Sequence, residues 1–404
     1  MLNNKEYLNR LYESDKPLII YKGFNGYYIF TDFDDKIILN KSNVSSFIKK
    51  ALSFRKKKNK LFDGYIGFFG YKICCQIIGI KIPKQKNNNF PKSIFYKPQT
   101  IIKFNKKILI ESCISNYKNL NNLKKSNKKF KYNRNFKVNI SLKQYTALFD
   151  KFSKKIKQGK TYQIKICQKY RNKSKIDAVK FFWKLMKVNS SPESFLIRDK
   201  NFSIISCSPE TLIKKNNNKI ITKPIAGTFK KTSRTSLNKA RIFFKKNDKE
   251  NKEHNMIVDM ERNDLSRICN QNSVKIKKLK FVEEYKNLYH YVTEIEGKLK
   301  KTVKAMDIIK AMMPGGSVIG CPKINTLNLL NKLEKDDRNI FTGSFGYIKS
   351  NGDMRFNIII RSILNYKNSC EISVASGIIL GSKAKKEYQE NYIKAKSLLD
   401  LFKI

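Results

Sequence analysis

In the second part of the chain the apolar positions fall at recognisable periods. Leu142, Tyr145, Leu148, Phe149, Phe152 and Ile156 follow helical spacing, with Ser141 placed to cap and Gly159 just past the end, so the pattern predicts a helix. A strand over 162–167, a helix over 178–188 and three strands over 195–197, 203–205 and 219–222 follow. Further helices are expected near 235–246, 249–266, 302–313, 322–334 and 384–403. Strands are expected near 273–277, 290–299, 341–349, 354–364 and 370–380. Strands interleaved with helices, without strict βαβα alternation, predict an α+β fold: a large two-sheet sandwich covered by helices.

Residues 1–140 have another texture. Short apolar strands over 18–21, 27–31, 65–69 and 101–110 are separated by Lys- and Asn-rich loops, and 115–135 reads as a long polar surface connection. The chain thus divides into a strand-rich N-terminal region, 1–140, and a second region, 141–404. No repeat of fixed period is present.

Composition alters the picture in two respects. With 404 residues, 41% of them hydrophobic, wholesale disorder is excluded. Lys plus Arg number 85 against 32 acidic residues, a formal charge of +53, which at first sight suggests nucleic acid, an anionic membrane or an acidic partner. The excess is nearly all Lys, however, accompanied by many Asn and Ile and by only 17 Gly, 9 Pro and one Trp. The favoured residues have A/T-rich codons, so a biased genome would fill solvated positions with Lys and Asn whatever the function. Basic runs at 55–60 and 124–131 read as solvated loops, and no nucleic-acid-binding motif accompanies them. A nucleic-acid partner is therefore not expected. The eight Cys form no C-x-x-C pair, which predicts reduced, mostly buried thiols. The N-terminus lacks the apolar core of a signal peptide, and no stretch approaches the ~18 apolar residues of a membrane span, so a cytoplasmic protein without a membrane partner is expected.

Against this basic background, clustered acids are informative. Glu250 and Glu253 are i, i+3 on a predicted helix, and Glu387 and Glu390 repeat the spacing on the last one. Four such oxygen donors could hold Mg²⁺; from spacing alone, an ordinary exposed ion-pairing face is the commoner explanation. The two histidines, His254 and His290, are suited to proton transfer, though a lone His is more often structural. Gly-containing segments at 224–228, 314–320 and 375–377 could bring backbone N–H groups to a carboxylate, and turn formation explains any one of them.

Taken in order, these segments resemble the chorismate-utilising enzymes, the family of anthranilate synthase component I and aminodeoxychorismate synthase component I. The matching text runs from about 141 to 401: SPE (208–210), KPIAGT (223–228), KEHNMIVDMERNDLSRIC (252–269), YKNLYHYVT (285–293), PGGSVIGCPK (314–323), GSFGYI (343–348), IIIRS (358–362) and EYQENYIKAK (387–396). Residues 1–140 match faintly, mainly through GYIGFFGY (64–71). The resemblance implies that Glu250, Glu253, Glu387 and Glu390 surround a Mg²⁺ holding the ring carboxylate of chorismate, with Lys394 facing the same region. It implies that Arg361 and Tyr347 hold the enolpyruvyl side chain, and that Gly227, Thr228 and Gly377 make close contacts. Glu210 becomes the general acid at the C4 hydroxyl, with a pKa raised by desolvation and nearby carboxylates, and His290 assists proton transfer.

Two positions bear on the nucleophile. Relatives that add water at C2 have a Lys base where this chain has Gln163, and an amide cannot be that base. Many aminodeoxychorismate synthases have a Lys where this chain has Ala226; that Lys attacks C2 covalently, so that ammonia ends at C4. Ala226 leaves ammonia free to attack C2, and pyruvate elimination then gives anthranilate. PGGS, GSFGYI and DMRFNIIIRS pull toward the aminodeoxychorismate branch, which remains the alternative. A basic nucleic-acid-binding protein on a decayed synthase fold is the remote one. Departures from the family's usual text are Glu193 in place of an aromatic, Ser376 in place of a Gly, and Gly381 in place of an acid. LYES (11–14) only faintly echoes the family's tryptophan feedback motif, which predicts weak or absent tryptophan inhibition. No Cys-His glutaminase constellation is present, so a separate glutamine amidotransferase subunit is the expected protein partner, with free ammonia as the substrate of this chain alone.

Overall fold

The structure is a computed structural model that describes residues 3–23, 25–53, 61–83, 89–118, 123–286 and 288–403, with the backbone alone at Lys249. The basic run at 55–60 lies outside the described residues; 124–131 is irregular and mostly exposed, as its composition predicts.

Every strand pairing is antiparallel, and tracing them outward from the centre gives one folded ribbon. Ser93–Phe104 pairs with Gly26–Ile38 and with Gly64–Phe69, and from there the ribbon runs two ways. One arm passes through Ser344–Lys349, Met354–Asn357, Thr211–Asn216, Lys219–Lys223 and Leu288–Lys298 to Lys275–Glu284. The other passes from Gly26–Ile38 through Leu18–Gly23, Glu193–Arg198, Phe202–Ser208, Ser362–Tyr366 and Ser369–Ile378 to Gln163–Lys173. Strands of the N-terminal region therefore join the two arms and pair directly with strands of the second region.

Period-two alternation sorts the side chains into layers. Ile66 and Phe68 enter a cluster with Ile19, Phe195 and Phe345, whereas Tyr65 and Phe69 face a separate cluster under helices. Phe195 of one arm stacks on Phe345 of the other with ring centroids 3.7 Å apart, so the arms pack face to face. Helices Val44–Ala51, Tyr71–Ile77, Leu142–Lys157, Ala305–Met312 and Lys323–Leu333 cover one outer face, and Asn4–Glu13, Ala178–Val188 and Ala384–Leu399 the other. The α+β sandwich covered by helices follows from this layering.

Ser141 and Gln144 close a reciprocal capping box on Leu142–Lys157, and the chain turns away at Gly159 with φ +68°. Tyr145, Phe149, Phe152 and Ile156 bury that helix; Leu142, at its first turn, is exposed. Elsewhere the structure corrects the sequence reading. The N-terminal region contains the helices Asn4–Glu13, Val44–Ala51 and Tyr71–Ile77 where loops were expected. The run 101–110 is the end of one strand and the start of another, Ile108–Ser112. Strands Thr211–Asn216 and Ile225–Lys230 were not foreseen, and the single strand expected over 354–364 is two, Met354–Asn357 and Ser362–Tyr366. Six of the eight cysteines are buried and all are free thiols. Among the described residues no helix is long and apolar enough to cross a membrane.

Candidate active site

The break at 358–361 places the first element of the site. Arg361 adopts φ +51°, a left-handed conformation costly for a residue with a side chain, and its carbonyl accepts from the Cys207 N–H at 3.2 Å. Its guanidinium is held low by burial, and Nη1 is buried with no hydrogen-bond partner. Nη2 lies 3.1 Å from His290 Nε2, and His290 Nδ1 lies 3.0 Å from the Gly227 carbonyl oxygen. These contacts fit one neutral tautomer, in which Nδ1–H donates to Gly227 and Nε2 accepts from Arg361. Burial, reinforced by Arg361, pushes the His290 pKa down to about 3. Tyr285, which no sequence argument singled out, sets its ring against His290 at 5.1 Å.

Glu210 lies between Phe202–Ser208 and Thr211–Asn216 and is 4% exposed. Burial pushes its pKa up to about 7, while Ser317, Lys165, the Ile225 N–H and Arg361 pull it back. Desolvation alone does the raising; the nearby carboxylates expected to help are not among its main influences. Ser317, on the Gly-rich segment, is a buried hydroxyl facing Glu210 without a partner of normal hydrogen-bond geometry.

Ile225–Lys230 runs along Leu288–Lys298, with Ala226 opposite Tyr291, Thr228 opposite His290 and a bulge between them. Gly227 occupies the bulge at φ +77°, and a Cβ there would stand 2.8 Å from Glu250 Oε2 and 2.7 Å from Phe244. Only glycine gives both the backbone angle and the space. Thr228 is exposed, its hydroxyl 3.4 Å from His290 Nδ1.

The carboxylates form a second group. Asn247 caps Asp248–Ser266 and starts the helix that carries Glu250 and Glu253. Glu253 Oε1 accepts from Gln163 Nε2 at 2.7 Å and from Lys165 Nζ at 3.0 Å. Burial would raise its pKa, but Lys165 and Lys394 outweigh this and hold it low, while Glu390 pushes the other way. Glu390 pairs with Lys394 at 2.7 Å, and Lys394 also donates to the Ala375 carbonyl at 3.1 Å. Gly377 faces this group: a Cβ on it would lie 2.9 Å from Gln163 Nε2 and 3.0 Å from Glu253 Oε1. Glu387 is buried toward Tyr145, and its backbone oxygen accepts from Ser376 Oγ at 3.1 Å. The hydroxyl at this departure from the family's glycine thus ties the strand end to the last helix.

The structure therefore gathers Glu210, His290, Arg361, Gly227 and Thr228, with Glu250 against Gly227. It gathers Gln163, Glu253, Gly377, Glu390 and Lys394 beside them. Lys165, which the sequence reading did not single out, links the groups, since it acts on both Glu210 and Glu253. Tyr347 packs on Tyr21 at 6.1 Å and Phe62 at 5.6 Å in the layer between the arms, with Arg355 and Glu193 as its charged neighbours. His254 is structural: buried, with Nε2 2.6 Å from Thr293 Oγ1.

Chemically, the four glutamates suit a hard divalent cation such as Mg²⁺, and the glycines at 227 and 377 let Glu250 and Glu253 approach the backbone where a Cβ would collide with them. Among the described residues no three acidic, His or Cys side chains stand close enough together to ligate one ion. The donor type fits; in this conformation Lys165 and Lys394 neutralise Glu253 and Glu390 instead.

The chorismate binding enzyme family profile matches residues 9–400. An anthranilate synthase component I-like protein of Synechocystis is 29% identical over 348 residues, 83% of this chain and 72% of that protein. Aminodeoxychorismate synthase component 1 of Bacillus subtilis is 32% identical over 252 residues, 62% of this chain and 54% of that one. The chain thus spans only about half the length of some curated relatives. Anthranilate synthase component I from Streptococcus pneumoniae superposes with a TM-score of 0.77 at 25% identity, covering 96% of this chain and 91% of that one. The menaquinone-specific isochorismate synthase of Escherichia coli shares the fold at 15% identity and a TM-score of 0.76, covering 98% and 90%. With the profile spanning nearly the whole chain, this protein belongs to the chorismate-binding enzyme family.

Proposed function

We propose that the chain is the synthase component of an anthranilate synthase, adding ammonia to C2 of chorismate and eliminating pyruvate. The observation that carries the reading is the combination of one buried, unpartnered guanidinium nitrogen, Arg361 Nη1, with an apolar methyl at Ala226. A buried Nη1 without an acceptor calls for an anionic ligand, and a carboxylate matches its geometry. Ala226 offers no amine for covalent attack at C2, so the carbon is left to ammonia.

In this mechanism His290 stays neutral and orients Arg361 through Nε2 rather than delivering a proton. Glu210, protonated up to about pH 7, gives its proton to the departing C4 hydroxyl. Glu250, Glu253, Glu387 and Glu390 would hold Mg²⁺, which when bound supplies positive charge to the ring carboxylate. Lys165 does not reopen the water route: burial would lower its pKa, but Glu253 outweighs that and keeps it a charged ammonium, neither base nor nucleophile. Gln163 donates its amide to Glu253.

Placing a lysine at 226 tests the reading. Wild type should yield anthranilate from chorismate, Mg²⁺ and ammonium. Ala226→Lys should lose most of it and divert product toward 4-amino-4-deoxychorismate or a lysine adduct seen by mass spectrometry. If wild type itself releases 4-amino-4-deoxychorismate, the chain belongs to the p-aminobenzoate branch, toward which its PGGS and GSFGYI text leans.

A further inference from the structure

Lys165 is a charged side chain in the site for which the proposed chemistry has no task. It lies two residues beyond Gln163 on Gln163–Lys173, so both side chains leave the same face of the strand. Both converge on one atom, Glu253 Oε1, at 2.7 Å and 3.0 Å. Lys165 is also the cross-strand partner of Gly377, whose missing Cβ would stand 3.4 Å from Nζ and 3.0 Å from Glu253 Oε1. The ammonium is only 12% exposed, and Glu210 and Glu390 act on it as well as Glu253. It therefore sits among the carboxylates, on the side where the missing Cβ of Gly377 lets them pack close to the strand.

We propose that Lys165 is a resident counter-ion that competes with the divalent cation for Glu253 and so sets the affinity of the carboxylate site for Mg²⁺. The proposal rests on the reading of the four glutamates as the metal set. An oxygen already bonded to an ammonium carries less charge for a metal, and a doubly charged ion beside it meets the repulsion of that ammonium in a partly dry site. Gln163 provides an internal comparison, because it donates to the same oxygen without carrying a charge. Lys165 is thus a positioning residue: it keeps Glu253 aimed at the site and yields it to the ion.

Isothermal titration of MgCl₂ into the full chain, without substrate, tests this. Lys165→Met should bind Mg²⁺ at least about tenfold more tightly than wild type, and Mg²⁺ should raise its melting temperature more, by mass action. Lys165→Arg keeps the charge and should stay at or below wild-type affinity. Gln163→Met, which removes only the neutral donor, should stay within about twofold. If Lys165→Met does not fold, Lys165→Gln is judged by the same criterion. Wild type that binds Mg²⁺ and a Lys165→Met that binds it no more tightly would overturn this inference and leave the metal reading standing. Absence of binding in wild type and in every variant would overturn both.

Discussion

In the proposed mechanism Glu210 gives up a proton and must hold it beforehand, and burial raises its pKa in the direction that requires. The sign is definite: a group raised from 4.5 to about 7 is protonated below that pH, and its acid form is lost as pH rises through it. At constant free ammonia, kcat should therefore fall on the alkaline side with an apparent pKa near 7, and Glu210→Gln should cost about a hundredfold or more with that limb gone. A rate-against-pH series on both proteins checks it; an unchanged limb in Glu210→Gln would remove Glu210 from the role. Much of this scale was legible in the sequence, because Glu210, His290 and Arg361 lie in ordered motif segments. The contacts of both His290 ring nitrogens, with Gly227 and with Arg361, were not. Lys165 escaped notice because one lysine among 85 basic residues carries no signal until strand alternation puts it beside Gln163.

Among the elements, the sequence reading failed where local pattern and tertiary demand conflict. The run 354–364 is apolar enough for one strand, yet it breaks so that Arg361 can take a left-handed angle and turn its guanidinium into the site. The N-terminal helices escaped because their short apolar faces were diluted by Lys, Asn and Ser, and packing rather than propensity stabilises them. Glu193 shows the opposite case, a departure visible in sequence whose use only the fold explains. It is 1% exposed and accepts from Arg355 Nη2 at 2.6 Å and Nε at 2.9 Å, from Thr211 Oγ1 at 2.5 Å and from Tyr21 Oη at 3.0 Å, tying the two arms together. Glu193→Ala leaves Arg355 facing a buried void and should cost about 3 kcal/mol, read as a lower urea midpoint. A loss under about 1 kcal/mol would mean that the clasp contributes little. Because LYES at 11–14 only faintly echoes the family's feedback motif, weak or absent tryptophan inhibition is expected; inhibition at micromolar tryptophan would contradict this.

For the molecule as a whole, the folded ribbon explains why residues 1–140 matter although their text matches relatives faintly. Their strands join the arms that carry the site, and such pairings tolerate wide sequence change while the alternation of faces is kept. The charge of +53 is dispersed along the chain, and it should draw in a dianionic substrate; KM for chorismate is then expected to rise with salt. Among the described residues His254 bonds Thr293 and His290 bonds Gly227 and Arg361, so neither histidine activates a cysteine; glutamine alone should then give no product where ammonium does, and an added amidotransferase subunit should allow glutamine use. The measurement closest to the central claim is product identification from purified protein with chorismate, Mg²⁺ and ammonium at mildly alkaline pH. Anthranilate fluorescence that EDTA and Glu390→Gln abolish is the expected result. Accumulation of 4-amino-4-deoxychorismate, converted to p-aminobenzoate by an added lyase, would contradict it and show that Ala226 does not decide the nucleophile.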